Sequence, residues 1–350
     1  MILTTFALFL SSFMSLFVFR KFAILINLVD QPNARKHHSG SIPLVGGLAV
    51  FIVVFSYLFI FPDTISSAML YLSCASVLLF VGVLDDLYDI SFRFRLILQI
   101  VISALMMIFG GLILNDVGAI FGGANIDLSY FGYFMTVVCV VGAINAFNMV
   151  DGIDGLLGAL ATITFSSLGV LFYFNGQSEL MAFCAAIVVA TIPYILMNLG
   201  IPLGQRFKIF MGDAGSTVIG FTVVWLLLEG SQSSERAFSP VTALWLAAVP
   251  IIDAISTILR RVKKGQSPFK PDREHLHHIL LRLGFSSRQA LVVICFIAAL
   301  FAVVGVLGDV FNVPEYIMFY AFILLTVLYY FFMLRIWRIS VRIRRFLNVK

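Results

Sequence analysis

The sequence predicts an all-α, polytopic integral membrane protein with about eleven transmembrane helices, its N-terminus outside and its C-terminus cytoplasmic. Three observations carry this. Of 350 residues, 61% are hydrophobic and 12% charged, with a mean hydropathy of +1.04, far from the composition of soluble domains. Long windows almost free of charge recur along the whole chain. The basic residues gather in alternate connections between those windows, as they do in proteins oriented by positive charge on the inner side.

The windows, in order, are 2–19, 44–61, 68–84, 96–114, 130–147, 156–174, 180–198, 216–228, 240–259, 289–308 and 316–334. About twenty apolar residues cross a hydrocarbon core as a helix, so each reads as a span, and 216–228 is expected to extend at its ends. The first window carries Arg20 and Lys21 after it and no basic stretch before it, so it reads as a retained span and not as a cleaved leader. If the spans alternate, 22 of the 23 Lys and Arg residues share one side and only Arg236 lies opposite. That side is then cytoplasmic. Basic residues of the C-terminal tail are expected to set this topology and to meet anionic lipid. Cys74, Cys139, Cys184 and Cys295 all lie inside apolar windows and read as packing residues.

The chain reads as a single domain, 1–350, with cytoplasmic loops 21–43, 85–95, 148–155, 199–215 and 260–288. No repeat and no low-complexity tract interrupts it. The external segment 115–129, with its glycines and Asp116, Asn125 and Asp127, suggests turns or a small hairpin.

Polar motifs sit at the predicted inner ends of the spans. Asn148-Met149-Val150-Asp151-Gly152-Ile153-Asp154-Gly155 packs two carboxylates, an amide and two glycines into eight residues between apolar runs. Asp85-Asp86 follows another run, and Asp213, within Phe210-Met211-Gly212-Asp213-Ala214-Gly215, precedes a third. One acidic pair at a helix end is most often a cap or an ion pair. Three such clusters on one face point to a single divalent-metal site. Hard carboxylate and amide oxygens suit magnesium or manganese, and magnesium shares its coordination sphere with substrate phosphates. Glycines beside each acid would let backbone N–H groups approach a diphosphate, and a helix beginning near Gly215 would aim its positive end at it.

Positive groups accompany them. Asp272-Arg273-Glu274-His275-Leu276-His277-His278 lies in the longest inner loop, and three histidines in four residues with Arg273 alongside suggest contacts to phosphate or sugar. Arg35, Lys36, His37 and His38, ahead of Pro43-Leu44-Val45-Gly46-Gly47, offer similar groups and read equally well as a solvated surface. Asp253 is the one acid inside a predicted span, which makes it a functional candidate or the partner of Arg260 in an ion pair.

Taken together these motifs resemble the polyprenyl-phosphate N-acetylhexosamine-1-phosphate transferases, and the likeness runs through essentially the whole chain. The resemblance implies eleven spans in the bacterial inner membrane, an active site facing the cytoplasm, and magnesium, with manganese an alternative. It also implies transfer of GlcNAc-1-phosphate from UDP-GlcNAc to undecaprenyl phosphate, with UMP released, as the first membrane step of a cell-surface polysaccharide. By the same resemblance Asp213 and Asn148 hold the metal, Asp85 and Asp86 stand near the lipid phosphate as metal ligands or a candidate base, Asp151 serves in catalysis and Arg95 lies on the phosphates. Asp154 matches a uracil contact, Asn198 falls in the nucleotide pocket, and Lys36, Arg273, His275, His277 and His278 lie over the sugar diphosphate. Leu276 interrupts a histidine run that is contiguous in the muramoyl-pentapeptide branch, which favours a GlcNAc donor over that one. Partners are therefore UDP-GlcNAc, undecaprenyl phosphate and membrane lipid, with no nucleic acid; the oligomeric state is open, a homodimer included. The same chemistry with another UDP-N-acetylhexosamine is the nearest alternative. A secondary transporter, whose acids would lie near the bilayer midplane, and a scaffold, which would need no such motifs, are the competing classes.

Overall fold

The computed structural model describes residues 2–31, 40–268 and 274–346, and almost every one of them that is not in a turn is helical. Lys36 and Arg273 lie outside the described residues. The helices are α1 (Ile2–Leu25), α2 (Gly46–Ile60), α3 (Ala68–Tyr88), α4 (Phe92–Gly110), α5 (Phe131–Val150), α6 (Leu156–Phe174) and α7 (Ser178–Asn198). They continue with α8 (Gly212–Gln232), α9 (Pro240–Leu246), α10 (Ala248–Lys263), α11 (Leu276–Arg282), α12 (Ser287–Val310) and α13 (Glu315–Phe346). Two-residue strands, β1 (Val29–Asp30) and β2 (Ile42–Pro43), pair antiparallel across the first inner loop.

Among the described residues nine helices are long and apolar enough to cross a membrane, or ten if α9 and α10 count as one bent span. The eleventh expected span is α2, whose 15 residues fall short of that length. The expected span 216–228 does extend, over the 21 residues of α8. The expected straight span over 240–259 is instead two helices meeting at 85°. Pro250 explains the break: it has no N–H for the carbonyl of Leu246, and its ring would collide with that carbonyl in a continuous helix. The ladder restarts one residue later, with Ile251 N–H donating to Ala247 O at 3.2 Å. Segment 115–129 forms the small hairpin expected of it, with Leu128 N–H bonded to Asn115 O and Ile126 N–H to Gly118 O.

Helix α8 is the axis of the bundle. Eighteen of its 21 residues are buried, and it packs on α2, α3, α5 and α6. Its start fits only because glycines face it: a Cβ on Gly47 of α2 would lie 2.2 Å from Gly215 Cα, and one on Gly82 of α3 would lie 2.3 Å from Ala214 Cα. Farther along, Tyr71 of α3 stacks on Phe221 with centroids 5.7 Å apart and shares a hydrogen bond with Thr222 at 2.7 Å. At the far end the buried Glu229 accepts from Ser66 N–H at 2.5 Å and from Trp225 Nε1–H at 3.0 Å. Such bonds are required there, because a carboxylate stranded in hydrocarbon without partners is strongly unfavourable. With both ends held, the residues at the start of α8 are fixed relative to α2, α3 and α5.

Candidate active site

The C-terminal ends of α3 and α5 converge on the N-terminal end of α8. Helix α3 stops where Asp89 adopts a left-handed conformation, φ 52°, and its N–H bonds back to Asp85 O at 2.9 Å. Its last turn thus carries Asp85 and Asp86 into the cavity. The Asp86 carboxylate accepts from the backbone N–H of Asp213 at 2.9 Å and of Ala214 at 3.4 Å. These are unsatisfied donors of the first turn of α8, and a negative charge suits that end of a helix. Asp86 is therefore a cap supplied from a neighbouring helix. Gly212, at φ 77°, allows it, since a Cβ there would meet Asp86 Oδ2 at 2.5 Å.

That cap sets the direction of Asp213. One of its oxygens accepts from Asn148 Nδ2 at 2.8 Å, and the other lies 3.4 Å from Arg95 Nη1. Arg95, reaching over from α4, also pairs with the buried Asp85. Asn148 donates a second bond, also from Nδ2, to Ser216 Oγ at 2.8 Å. Both of its N–H groups are used, so its amide oxygen remains for another partner.

The Asp151–Gly155 turn follows. Asp151 is exposed at the end of α5 and Asp154 pairs with Lys208 at 2.7 Å. Asn198 lies at the cavity, where the pocket was expected. It is buried, its Oδ1 accepts from Gly155 N–H, and its Nδ2 donates to Ile209 O at 2.7 Å. At the border of the cavity its amide thus ties two loops together.

The histidines divide as well. Residues 278, 281 and 282 lie on one face of α11, at helical spacing, and turn His278, Leu281 and Arg282 toward the cavity. His275 faces away: its Nδ1 is 2.7 Å from Asp253 Oδ2 and it is buried. His277, 2% exposed, presses on the turn at Gly152, where an added Cβ would meet its Nε2 at 2.0 Å. Asp253 does not pair with Arg260; that guanidinium reaches Glu274 at 2.7 Å.

The cavity enclosed by these groups measures about 1160 Å³ and is bordered by Asp85, Asp86, Asn148, Asp151, Asp154, Asp213, Lys208 and His278 among others. It brings together the acidic motifs, one histidine and Arg282, with Arg95 bonded to two of the acids. Lys208 and Arg282 are binding candidates that the motifs alone did not single out. Signals for both were present: Lys208 stands two residues before Phe210, and Arg282 lies one helical turn beyond His278. Among the described residues no group of three or more His, Cys, Asp or Glu side chains forms a closed metal cage. Magnesium does not need one, because it commonly takes one or two protein oxygens and completes its shell with water and phosphate. Asp213 and Asn148 carry oxygens of the kind that ion takes, so the donor chemistry fits it, with Asn148 here turning its N–H groups to Asp213.

Comparison with known proteins bears on the same residues. The pattern described as glycosyl transferase family 4 matches residues 68–231, a stretch that contains Asp85, Asp86, Asn148, Asp151, Asp154 and Asp213. A protein of Escherichia coli K12 named undecaprenyl-phosphate alpha-N-acetylglucosaminyl 1-phosphate transferase is 49% identical over 340 residues, covering 97% of this chain and 92% of its own. A protein of the same name from Yersinia pestis is 49% identical, with 97% and 93% covered. Another from Haemophilus influenzae is 45% identical over 343 residues, with 98% and 97% covered. Identity at this level over nearly the full length of both chains leaves no room for a different fold or lineage, and the chain belongs to glycosyl transferase family 4.

Proposed function

We propose that this protein transfers GlcNAc-1-phosphate from UDP-GlcNAc to undecaprenyl phosphate at the cytoplasmic face of a bacterial inner membrane, with magnesium or manganese as cofactor. The carrying observation is the convergence of Asp85, Asp86, Asn148 and Asp213 with Arg95 at the inner ends of apolar helices, in a chain so similar to proteins of that named activity. A transporter would be expected to keep its acids near mid-span; these stand at helix ends. Orientation rests on the basic residues, 22 of 23 of which fall in the alternate connections that the positive-inside rule would place in the cytoplasm.

In this reading a phosphate oxygen of the lipid attacks the β-phosphorus of the donor. The bond from that phosphorus to the bridging oxygen breaks, and UMP leaves with the electron pair. Both reactants are anions, so the site must first offset their repulsion. Asp213 and Asn148 Oδ1 would hold the metal, which supplies charge stabilisation to the diphosphate. Lys208, His278 and Arg282 add donors along the cavity wall, and Arg95, held by Asp85, brings its charge to the phosphates. Asp154 would accept from the uracil N–H. A phosphate monoester has a second pKa of about 6, so at neutral pH much of the acceptor is already dianionic and needs no strong base. Asp86 is committed to the start of α8 and Asp85 to Arg95. Their role in this reading is to fix geometry.

Purified protein in detergent tests this. Magnesium-dependent release of UMP from UDP-GlcNAc only when a polyprenyl phosphate is present is the expected result, and release indifferent to the lipid rejects it. A panel of UDP-N-acetylhexosamine donors identifies the sugar, and use of UDP-MurNAc-pentapeptide alone would move the chain to the other branch while keeping the chemistry.

A further inference from the structure

We infer that Asp253 is a positioning residue for donor binding, a carboxylate buried beneath α11 that fixes the helix presenting His278 and Arg282 to the cavity. The inference rests on the donor reading of that cavity. Asp253 stands on α10, 2% exposed, and its two oxygens draw donors from three directions. Oδ2 meets His275 Nδ1 at 2.7 Å, while Oδ1 accepts from the backbone N–H of Leu276 at 3.1 Å and from the Tyr329 hydroxyl at 2.6 Å. One carboxylate thus joins α10, the start of α11 and the last long helix, α13.

Helix α11 needs such an anchor. It has seven residues, and helices that short do not hold their shape or direction unaided. One side rests on the turn at Gly152 through His277, and its start hangs on Asp253. The face between, His278 and Arg282, borders the cavity. A carboxylate placed among apolar helices is unfavourable unless it is fully bonded, and here every partner belongs to the framework of α11 and α13. Removing the carboxylate is expected to leave the acids at the ends of α3 and α8 in place and to free the helix that carries the cations.

The test is Asp253→Asn in the full-length protein. Asn keeps one acceptor but turns an N–H toward His275 Nδ1, so the bond there is lost or must reverse. A hydrogen bond to a charged group is strong enough for its loss to raise the KM for UDP-GlcNAc about tenfold. The KM for polyprenyl phosphate should stay near the wild-type value and kcat should change less. His275→Ala should reproduce the donor effect, and His275→Asn, which keeps an N–H where Nδ1 lies, should move KM back toward wild type. If His275 touched the donor itself, Asn would fail as Ala does, and the inference would be overturned. It would equally be overturned if Asp253→Asn lowered the active fraction with both KM values unchanged, since that is what mere loss of fold predicts. Tyr329→Phe removes one donor and leaves the His275 bond, so a smaller rise in donor KM, about threefold, is expected if the larger change prevents folding. Hydrogen exchange at residues 275–284 reads the anchoring directly. Faster exchange there in Asp253→Asn, in a wild type that shows no donor turnover, would reject the proposed function and keep the anchor.

Discussion

A carboxylate or imidazole in a sequence announces its chemistry but not its partner, and the site residues here divide on that point. Asp213 was legible as a central acid because it opens a helix among glycines, and it does face Asn148 and Arg95. Asp213→Asn is expected to lower kcat by at least about a hundredfold while the protein still inserts, because a charged oxygen opposite the diphosphate is lost. Wild-type kcat in the purified variant would remove it from the centre. Asp154→Ala should raise the KM for UDP-GlcNAc more than it lowers kcat, since a uracil contact is made equally before and during reaction. A collapse of kcat at constant KM would place Asp154 in the chemistry. The partners of Asn198 and His275 were not legible in the sequence, since an amide or imidazole that serves backbone or a buried acid looks the same as one that serves a ligand. His277 adds a dependence on pH. Burial, with His278 and His275 beside it, holds its imidazole down from the usual 6.5 to about 3. The folded protein keeps it neutral while the unfolded chain takes up a proton below 6.5, so its contribution is complete above that pH and is lost as pH falls toward 3. At about pH 5 the loss is about 2 kcal/mol. Unfolding temperatures at about pH 7.5 and about pH 5 should therefore differ less in His277→Asn than in wild type; an equal difference would show that this imidazole is not the acid-sensitive group.

At the scale of elements, hydrophobic runs gave the helices and missed how they are cut and joined. Pro250 was visible within its apolar run, yet length and composition alone read straight through it; only the geometry of the missing N–H makes a break of 85°. The strand pair at 29–30 and 42–43 is too short to leave a periodic trace. The close passage of α2 and α3 past α8 was invisible for another reason: a glycine in an apolar helix gives no sign of what it faces. Gly82→Leu tests that passage. With Ala214 Cα already where a Cβ would go, the added bulk should destabilise the bundle by about 1–3 kcal/mol and displace the start of α8. Turnover should fall at least about tenfold, more than the loss of folded protein accounts for, because Asp86 and Asp213 are set by that contact. Activity that merely tracks the folded fraction would separate the glycine from the site.

For the molecule as a whole, the arrangement of charge predicts which side each loop occupies. Cysteines introduced at Gln266 and at Ala124, both exposed, should divide cleanly in intact cells: an impermeant thiol reagent should label position 124 and spare 266 until the membrane is opened. Labelling of 266 from outside would reverse the orientation and with it the side from which the nucleotide sugar arrives.

The nearly complete burial of α8 reaches beyond catalysis to how the protein is made. It is the least hydropathic of the nine long helices and also the most enclosed, with Ser216, Thr222, Glu229 and Ser231 along its buried length. A helix like this is a poor candidate to wait alone in lipid during synthesis. Chain order eases the difficulty, for α2, α3, α5 and α6, against which it packs most, precede it, while α9, which also packs on it, follows. Most of the slot is therefore made before its occupant, and α9 with the turn before it closes the rest afterwards.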